Sequence, residues 1–182
     1  VEVNEINGGS FRVYVRHDLG EPSYIGYGYV NTLDTEPTDW KSEIVAFRKR
    51  VQTNMQRLRE VVHLMSGEVS IHYPGMKAED KVLSSVYVYG ASTRGNTTLQ
   101  LAGITWLRYA VERDPKKVGT TTVTGQICIS EEAARKQVVS HYLILPWHFL
   151  GEFIQREREF LLNGGKFIVP YPEPYILNLQ KC

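Results

Sequence analysis

Residues 90–96 combine glycine, hydroxyl, guanidinium and amide groups in a spacing that suits phosphate binding. The pattern Gly90-x-Ser92-x-x-Gly95 is similar to the glycine-rich fingerprint of dinucleotide-binding loops, with serine in the middle position. Arg94 adds a positive charge whose planar fork fits a phosphate. The spacing therefore predicts a phosphate-binding turn, and a plain strand–turn–helix without a ligand remains the alternative.

The residues that follow this turn predict the start of a helix. Asn96, Thr97 and Thr98 carry side chains that cap the free N–H groups of a helix beginning at about residue 96. The partial positive charge at that helix end attracts anions, phosphates above all. Glu112, near the end of the next predicted strand, falls about where a ribose-binding acid lies in dinucleotide-binding folds.

Further candidate ligand contacts lie in two other predicted loops. Trp147 and His148 directly follow a buried strand, so they either contact a ligand or pack the joint between strand and helix. Lys116 lies in the turn at residues 114–119. The predicted substrate-binding residues are Gly90, Ser92, Thr93, Arg94, Gly95, Asn96, Lys116, Trp147 and His148.

The elements that position these residues alternate between strand and helix, which predicts a parallel sheet with helices on both faces. We expect an α/β fold with a Rossmann-like, mostly parallel sheet, preceded by an N-terminal β-hairpin and a long helix. Ligands of such sheets bind at the carboxyl ends of strands, where strand order reverses. Expected strands are 85–89, 108–112, 127–129, 141–146 and 166–169, and expected helices are 40–64, 96–102, one capped by Ser130, and 150–162.

Two expectations concern the C-terminal part of this domain. The mixed charges of residues 156–159 are expected on an exposed helix face, without a catalytic role. Pro170, Pro172 and Pro174 are expected to stop regular structure, which makes 166–169 the last strand.

The first residues alternate apolar and polar side chains around Asn7-Gly8, a strong hairpin-turn signal. A lone hairpin is marginal in water, so it is expected to belong to the sheet of a preceding domain. Phe11, Val13 and Val15 should then be exposed, or pair with a second copy. The predicted divisions are this hairpin at 1–17, a connecting loop or substrate-facing lid at 18–39, and the Rossmann-like domain at 40–182.

Composition limits the classes of function. The chain has 182 residues and a formal net charge of +1, which does not suggest a polybasic nucleic-acid binder. No apolar run is long enough to span a membrane, and no signal peptide opens the sequence. Cys128 and Cys182 do not form a disulfide framework or a zinc motif, so neither a metal site nor an oxidising compartment is predicted. The expected compartment is the cytoplasm.

Four stretches of the sequence together resemble the C-terminal domain of sugar C-methyltransferases. They are Tyr89-Gly-Ala-Ser-Thr-Arg-Gly-Asn96, Asp114-Pro-Lys-Lys-Val-Gly119, His141-Tyr-Leu-Ile-Leu-Pro-Trp-His148 and Gly164-Gly-Lys-Phe-Ile-Val-Pro-Tyr-Pro172. Residues 7–15 resemble the strand that closes the preceding methyltransferase domain of that family. One stretch departs from the pattern, because Gly125-Gln-Ile-Cys-Ile129 stands where the family tends to have Gly-x-x-Pro-Ile.

The resemblance implies an enzyme that methylates a carbon of a nucleotide-linked keto-deoxysugar with S-adenosylmethionine, after deprotonation next to the keto group. It also implies a small zinc-binding module, a methyltransferase domain and this C-terminal domain, with the nucleotide-sugar between the last two. The family's catalytic base, zinc cysteines and methyl-donor site match nothing in this chain. We therefore expect it to supply no catalytic residue and to be inactive alone.

The partners that follow are a nucleotide-diphosphate sugar, the enzyme's own methyltransferase domain and, as an alternative, a second copy in a homodimer. Neither nucleic acid nor a membrane is expected as a partner. The alternative function belongs to another class: a non-catalytic Rossmann-like nucleotide-binding module with a regulatory or scaffolding role.

Overall fold

The computed structural model describes residues 2–4, 10–13, 37–67 and 86–179. The chain divides into two compact units, Val1–Lys49 and Arg50–Cys182. Of the predicted loop or lid at 18–39, residues 18–36 lie outside the described ranges, as does Val15. Within those ranges, no helix has the length and apolar character needed to cross a bilayer.

The N-terminal hairpin forms a sheet of its own. Strand β1 (Glu2–Asn4) pairs antiparallel with β2 (Ser10–Arg12), and neither belongs to the larger sheet. Phe11 is 71% exposed and Val13 is 55% exposed. The prediction that these two apolar side chains are left uncovered is therefore confirmed.

The long helix α1 (Trp40–Ser66) begins after Asp39, as the sequence predicts, and ends two residues beyond the expected position. Asp39 Oδ1 accepts hydrogen bonds from the N–H groups of Lys41 and Ser42, which satisfies two free donors of the first turn. Hydrogen bonds from Ser42 are the main cause of the lowered pKa of Asp39. The second half of α1 carries the buried side chains, which are Met55, Leu58 and Val62.

A six-stranded, mostly parallel sheet lies in the second unit. Its strands are β3 (Val86–Tyr89), β4 (Tyr109–Glu112), β5 (Ile127–Ser130), β6 (His141–Ile144), β7 (Lys166–Val169) and β8 (Tyr175–Leu177), and their order in the sheet is β5-β4-β3-β6-β7-β8. All neighbouring strands are parallel except β8, which runs antiparallel to β7. The expectation that residues 166–169 form the last strand is wrong, because the prolines lie in a turn that returns the chain along β7.

Helices cover both faces of this sheet, which confirms the predicted fold class. After α1 come α2 (Thr93–Ala102), α3 (Glu131–Arg135), a 3-10 turn (Trp147–Phe149), α4 (Leu150–Arg156) and α5 (Arg158–Leu162). One face of the sheet packs against α1 and α2, and the other packs against α3, α4 and α5. The prediction of a single helix at 150–162 is wrong, because Glu157 lies in a turn that separates α4 from α5.

The strand order reverses between β3 and β6. From β3 the chain moves outward through β4 to β5, and it then returns to β6 on the other side of β3. The loops that leave β3 and β6 therefore lead away in opposite directions, and ligands of such sheets bind at this reversal point. We call the place where residues 90–96 and 146–148 lie the switch-point crevice.

Candidate functional site: the switch-point crevice

The chain turns sharply at Gly90, directly after β3. Its φ is +92°, a conformation that residues with a side chain rarely adopt, and a Cβ there would lie 2.5 Å from Pro146 Cγ. The Gly90 N–H donates to Val111 O at 2.9 Å, and the Leu145 N–H donates to Tyr89 O at 3.2 Å. The turn is thus held between the carboxyl ends of β4 and β6.

Helix α2 begins three residues earlier than expected. Ser92 is extended, and its Oγ accepts a hydrogen bond from the Gly95 N–H at 3.1 Å, so Ser92 is the cap. The expectation that residues 96–98 cap the helix is wrong, because Ser92 already satisfies a free donor of the first turn. Since the Ser92 hydroxyl accepts this bond, its hydrogen is left to donate to a ligand.

The first turn of α2 carries four of the predicted site residues. Thr93 and Arg94 are exposed, whereas Gly95 is buried. A Cβ on Gly95 would lie 2.8 Å from Leu145 Cδ1 and 3.0 Å from the Gly90 oxygen. This close approach of helix to strand is the role of the third glycine in the dinucleotide fingerprint.

Two polar atoms of the crevice are shielded from solvent without a hydrogen-bond partner in the described part of the chain. They are Asn96 Oδ1, in the first turn of α2, and His148 Nδ1, in the 3-10 turn after β6. Burial and, to a smaller extent, the positive charge of Arg94 lower the pKa of His148. Both effects favour the neutral imidazole.

Trp147 and Tyr171 form an aromatic pair at the same edge of the sheet. Their ring centroids lie 5.7 Å apart, and the Tyr171 hydroxyl lies 3.3 Å from Thr98 Oγ1 on α2. Trp147 also packs against the core of the α3–α5 face, so part of the predicted stacking surface is covered by the protein itself. The sequence analysis did not single out Tyr171, although an aromatic residue two positions after the end of β7 was an available signal.

Glu112 lies at the end of β4, but its carboxylate is occupied by the protein. Oε2 accepts from the Ala91 N–H at 3.0 Å, and Oε1 accepts from the N–H groups of Arg113 and Asp114. Lys117 Nζ lies 3.5 Å from Oε2. The interpretation of Glu112 as a ribose-binding acid is therefore not supported, because its acceptors position the turn after β3.

Lys117 contacts the turn after β3, whereas the prediction that Lys116 contacts a ligand stays a prediction. Lys117 Nζ donates to the Ala91 oxygen at 3.4 Å, whereas Lys116 is exposed and its backbone N–H donates to Asp114 Oδ1. The two lysines are adjacent in sequence, so only the geometry of the turn distinguishes them.

Beneath the turn, the Tyr89 hydroxyl lies between two carboxylates. It is 2.7 Å from Glu131 Oε1 and 2.9 Å from Glu157 Oε1. Burial and these two glutamates raise the pKa of Tyr89. Arg135 contacts both glutamates, and Arg156 contacts Glu131. We call these five residues the Tyr89 cluster.

The Tyr89 cluster corrects the expectation that residues 156–159 lie on an exposed face. Glu157 is only 4% exposed and is bonded to Tyr89 and Arg135. The sequence did not indicate this, because its partners are far away along the chain. Arg158 and Glu159 are exposed, as expected.

Other titratable groups lie outside the crevice. His141 is buried at the start of β6, and burial together with Lys166 lowers its pKa to about 4. Cys128 is a buried free thiol in the core. Within the described ranges, no group of three or more His, Cys, Asp or Glu side chains could hold a metal ion. A groove of about 800 Å³ near the amino ends of β6 and β7 contains none of the predicted site residues.

The fold and the crevice together define a class: an open α/β domain with a glycine-rich turn and a helix N terminus at the reversal of strand order. The chain belongs to the family described as the C-methyltransferase C-terminal domain, whose model matches residues 5–172. This confirms the resemblance inferred from the sequence.

A relative with a stated activity is the C-methyltransferase NovU from Streptomyces niveus. It is 36% identical to this chain over 109 residues, which make up 58% of the chain and 25% of NovU. The matched region therefore covers a quarter of that relative's length.

Proposed function

We propose that this chain is the nucleotide-sugar-binding part of an S-adenosylmethionine-dependent C-methyltransferase that acts on a nucleotide-linked keto-deoxysugar. Membership of the C-methyltransferase C-terminal domain family supports the reaction class. The nucleotide-sugar is the ligand that fits the crevice, because a diphosphate matches a helix N terminus and an arginine fork.

The observation that carries the proposal is the first turn of α2. Ser92 caps the helix and keeps a hydroxyl hydrogen, Arg94 is exposed beside it, and Gly95 brings the helix close to β6. In the proposed complex, the diphosphate accepts hydrogen bonds from the N–H groups of this turn, from Ser92 and from Arg94.

In this proposal the methyl donor, the zinc ion and the catalytic base belong to other modules of the full-length enzyme. The chain's own methyltransferase domain is then its partner, and the nucleotide-sugar lies between the two. The task of this segment is to hold the nucleotide-sugar so that its reacting carbon faces the methyl donor.

The test is a titration of thymidine diphosphate into the wild type and the Arg94→Ala variant at one fixed salt concentration. Loss of a charged hydrogen bond costs about 1.5–3 kcal/mol, so affinity should fall roughly ten- to a hundredfold. Thermal stability should be nearly unchanged, because Arg94 is exposed. Arg94→Lys should recover only part of the affinity, since an ammonium makes no two-pronged contact.

Arg158→Ala is the matched control, because Arg158 is an exposed helical arginine that lines the groove near the amino ends of β6 and β7. This control should bind thymidine diphosphate as the wild type does. Equal binding by the wild type and Arg94→Ala would contradict the proposal. If the chain alone binds nothing, the titration is repeated with the full-length enzyme, where absence of binding would refute it.

A further inference from the structure

The unpartnered atoms of Asn96 and His148 distinguish the crevice from an ordinary loop joint. Buried polar atoms are nearly always hydrogen-bonded, because an unsatisfied one loses its bonds to water without replacement. Two of the four such atoms in the described ranges belong to this crevice. A third unsatisfied atom is Asn54 Oδ1 on α1. The amide nitrogen of the same side chain donates a hydrogen bond to the Pro170 oxygen, in the loop after β7.

Asn96 and His148 come from the two elements that leave the switch point in opposite directions. Close approaches of Gly90 to Pro146 and of Gly95 to Leu145 hold the start of α2 against the loop after β6. Arg94, two residues before Asn96, is near enough for its charge to affect the ionisation of His148. The two side chains therefore come from neighbouring parts of the chain, where the start of α2 approaches the loop after β6.

Among the described residues, the side of the crevice towards β4 has no buried polar atom without a partner. The Glu112 carboxylate is bonded to three backbone N–H groups, and Lys117 contacts Glu112 and the Ala91 oxygen. A ligand that bound the Glu112 carboxylate would have to displace these bonds. Towards β6, Asn96 Oδ1 and His148 Nδ1 keep unused hydrogen-bonding capacity.

The chemistry of the two atoms selects the kind of ligand group. An amide oxygen only accepts hydrogen bonds, and an ionised diphosphate has no proton to give it. A neutral imidazole nitrogen donates or accepts according to its tautomer. A hydroxyl both donates and accepts, so a single hydroxyl can satisfy both atoms, and a phosphate cannot.

Building on the proposed function, we infer that Asn96 Oδ1 and His148 Nδ1 bind a hydroxyl of a sugar ring adjoining the diphosphate. The ligand then extends from the N terminus of α2 towards β6. The hydroxyl belongs either to the ribose of the nucleotide or to the transferred sugar, and both present the same chemistry.

The test uses the full-length enzyme and the variants Asn96→Leu and His148→Phe, which keep the size of each side chain and remove its polar atoms. Four probes are titrated: pyrophosphate, thymidine diphosphate, its 3′-deoxy analogue and thymidine diphosphate glucose. Each variant should weaken binding of a hydroxyl-bearing probe roughly 3- to 10-fold. Pyrophosphate should bind the variants and the wild type equally.

The probes also identify which sugar is bound. If the hydroxyl is on the ribose, the variants bind thymidine diphosphate more weakly than the wild type does, and they bind its 3′-deoxy analogue as well as the wild type does. If the hydroxyl is on the transferred sugar, only thymidine diphosphate glucose shows the loss. A double variant should lose less than the product of the two single losses, because both atoms contact one hydroxyl.

The inference is overturned if the variants weaken pyrophosphate as much as the sugar-bearing probes, or if no probe is affected. Both results leave the proposed function standing, provided that the wild type binds thymidine diphosphate and Arg94→Ala binds it more weakly. If no probe binds the wild type, the proposed function and this inference fail together. Unchanged melting temperatures of the variants would show that any loss of affinity does not reflect misfolding.

Discussion

Gly95 shows how a single missing side chain lets the crevice form. It lies in the first turn of α2, has an ordinary helical backbone, and faces Leu145 so closely that a Cβ would come within 2.8 Å. Glycine is therefore favoured here because a side chain has no space, and not because of the backbone conformation. An added methyl group would push α2 away from the end of β6.

We predict that Gly95→Ala lowers the free energy of unfolding by about 1–2 kcal/mol, because overpacking outweighs the better helix propensity of alanine. Gly151→Ala is the matched control, since Gly151 is also helical and a Cβ there meets nothing within 4 Å. It should raise the free energy of unfolding by roughly 0.5 kcal/mol. Urea unfolding of both variants and the wild type measures the difference, and equal effects would show that α2 moves freely.

At the scale of elements, the Tyr89 cluster joins the end of β3 to helices α3 and α4 and to the turn before α5. Glu131 begins α3, Arg156 ends α4, and Glu157 lies in the turn between α4 and α5. Because the Tyr89 hydroxyl has one hydrogen, it donates to one carboxylate at a time, and Arg135 contacts both. Hydrogen bonds on the side of the sheet below the crevice thus hold Tyr89, the residue before Gly90, in place.

Tyr89→Phe should lower the free energy of unfolding by about 2 kcal/mol, because it removes a hydrogen bond to a buried carboxylate. Tyr109→Phe, on the neighbouring strand, should change it by less than about 0.5 kcal/mol, since Tyr109 is only half-buried. Denaturant unfolding at pH 7 gives both values. A Tyr89→Phe variant as stable as the wild type would mean that the arginines alone hold the two glutamates.

Local sequence signals predicted the elements wherever the deciding interactions are local. The alternation of strands with helices, the start of α1 at residue 40 and the Ser130 cap of α3 all follow from neighbouring residues. The break at Glu157 and the strand β8 depend on partners far away in sequence. Local patterns carry no record of those partners, so these two features were missed.

The difference between local and long-range interactions also explains which site residues were predicted. The glycines and Arg94 were recognised because their spacing is a local pattern. The start of α2 at Thr93 was missed, since serine and asparagine both cap well and only the backbone geometry decides between them. Tyr171 and Lys117 enter the site through the arrangement of loops from different strands, which the sequence does not encode in any short stretch.

At the scale of the whole molecule, the chain presents uncovered apolar surface at its N-terminal hairpin. Val3 and Phe11 are both 71% exposed and form a paired position of β1 and β2. An exposed apolar patch of this kind suits a protein interface. The proposed partner is the enzyme's own methyltransferase domain, and a second copy of the chain is the alternative.

We predict that this chain alone does not bind S-adenosylmethionine, because the matched family is a C-terminal domain and the proposed methyl-donor site lies in another module. Isothermal titration calorimetry of the chain should show no heat of binding, while the full-length enzyme should bind the cofactor. Micromolar affinity of the chain alone would contradict the prediction. That result would favour a nucleotide-binding module whose ligand is the cofactor itself.

The reversal of strand order has a consequence for the order of folding. The crevice exists only after β6 has paired with β3, and their register joins residues as distant in sequence as Val86 and His141. Such pairing closes a long loop, so it is entropically costly and slow compared with formation of the flanking helices. A ligand held between the two strands would therefore stabilise only molecules in which both halves of the sheet have already joined.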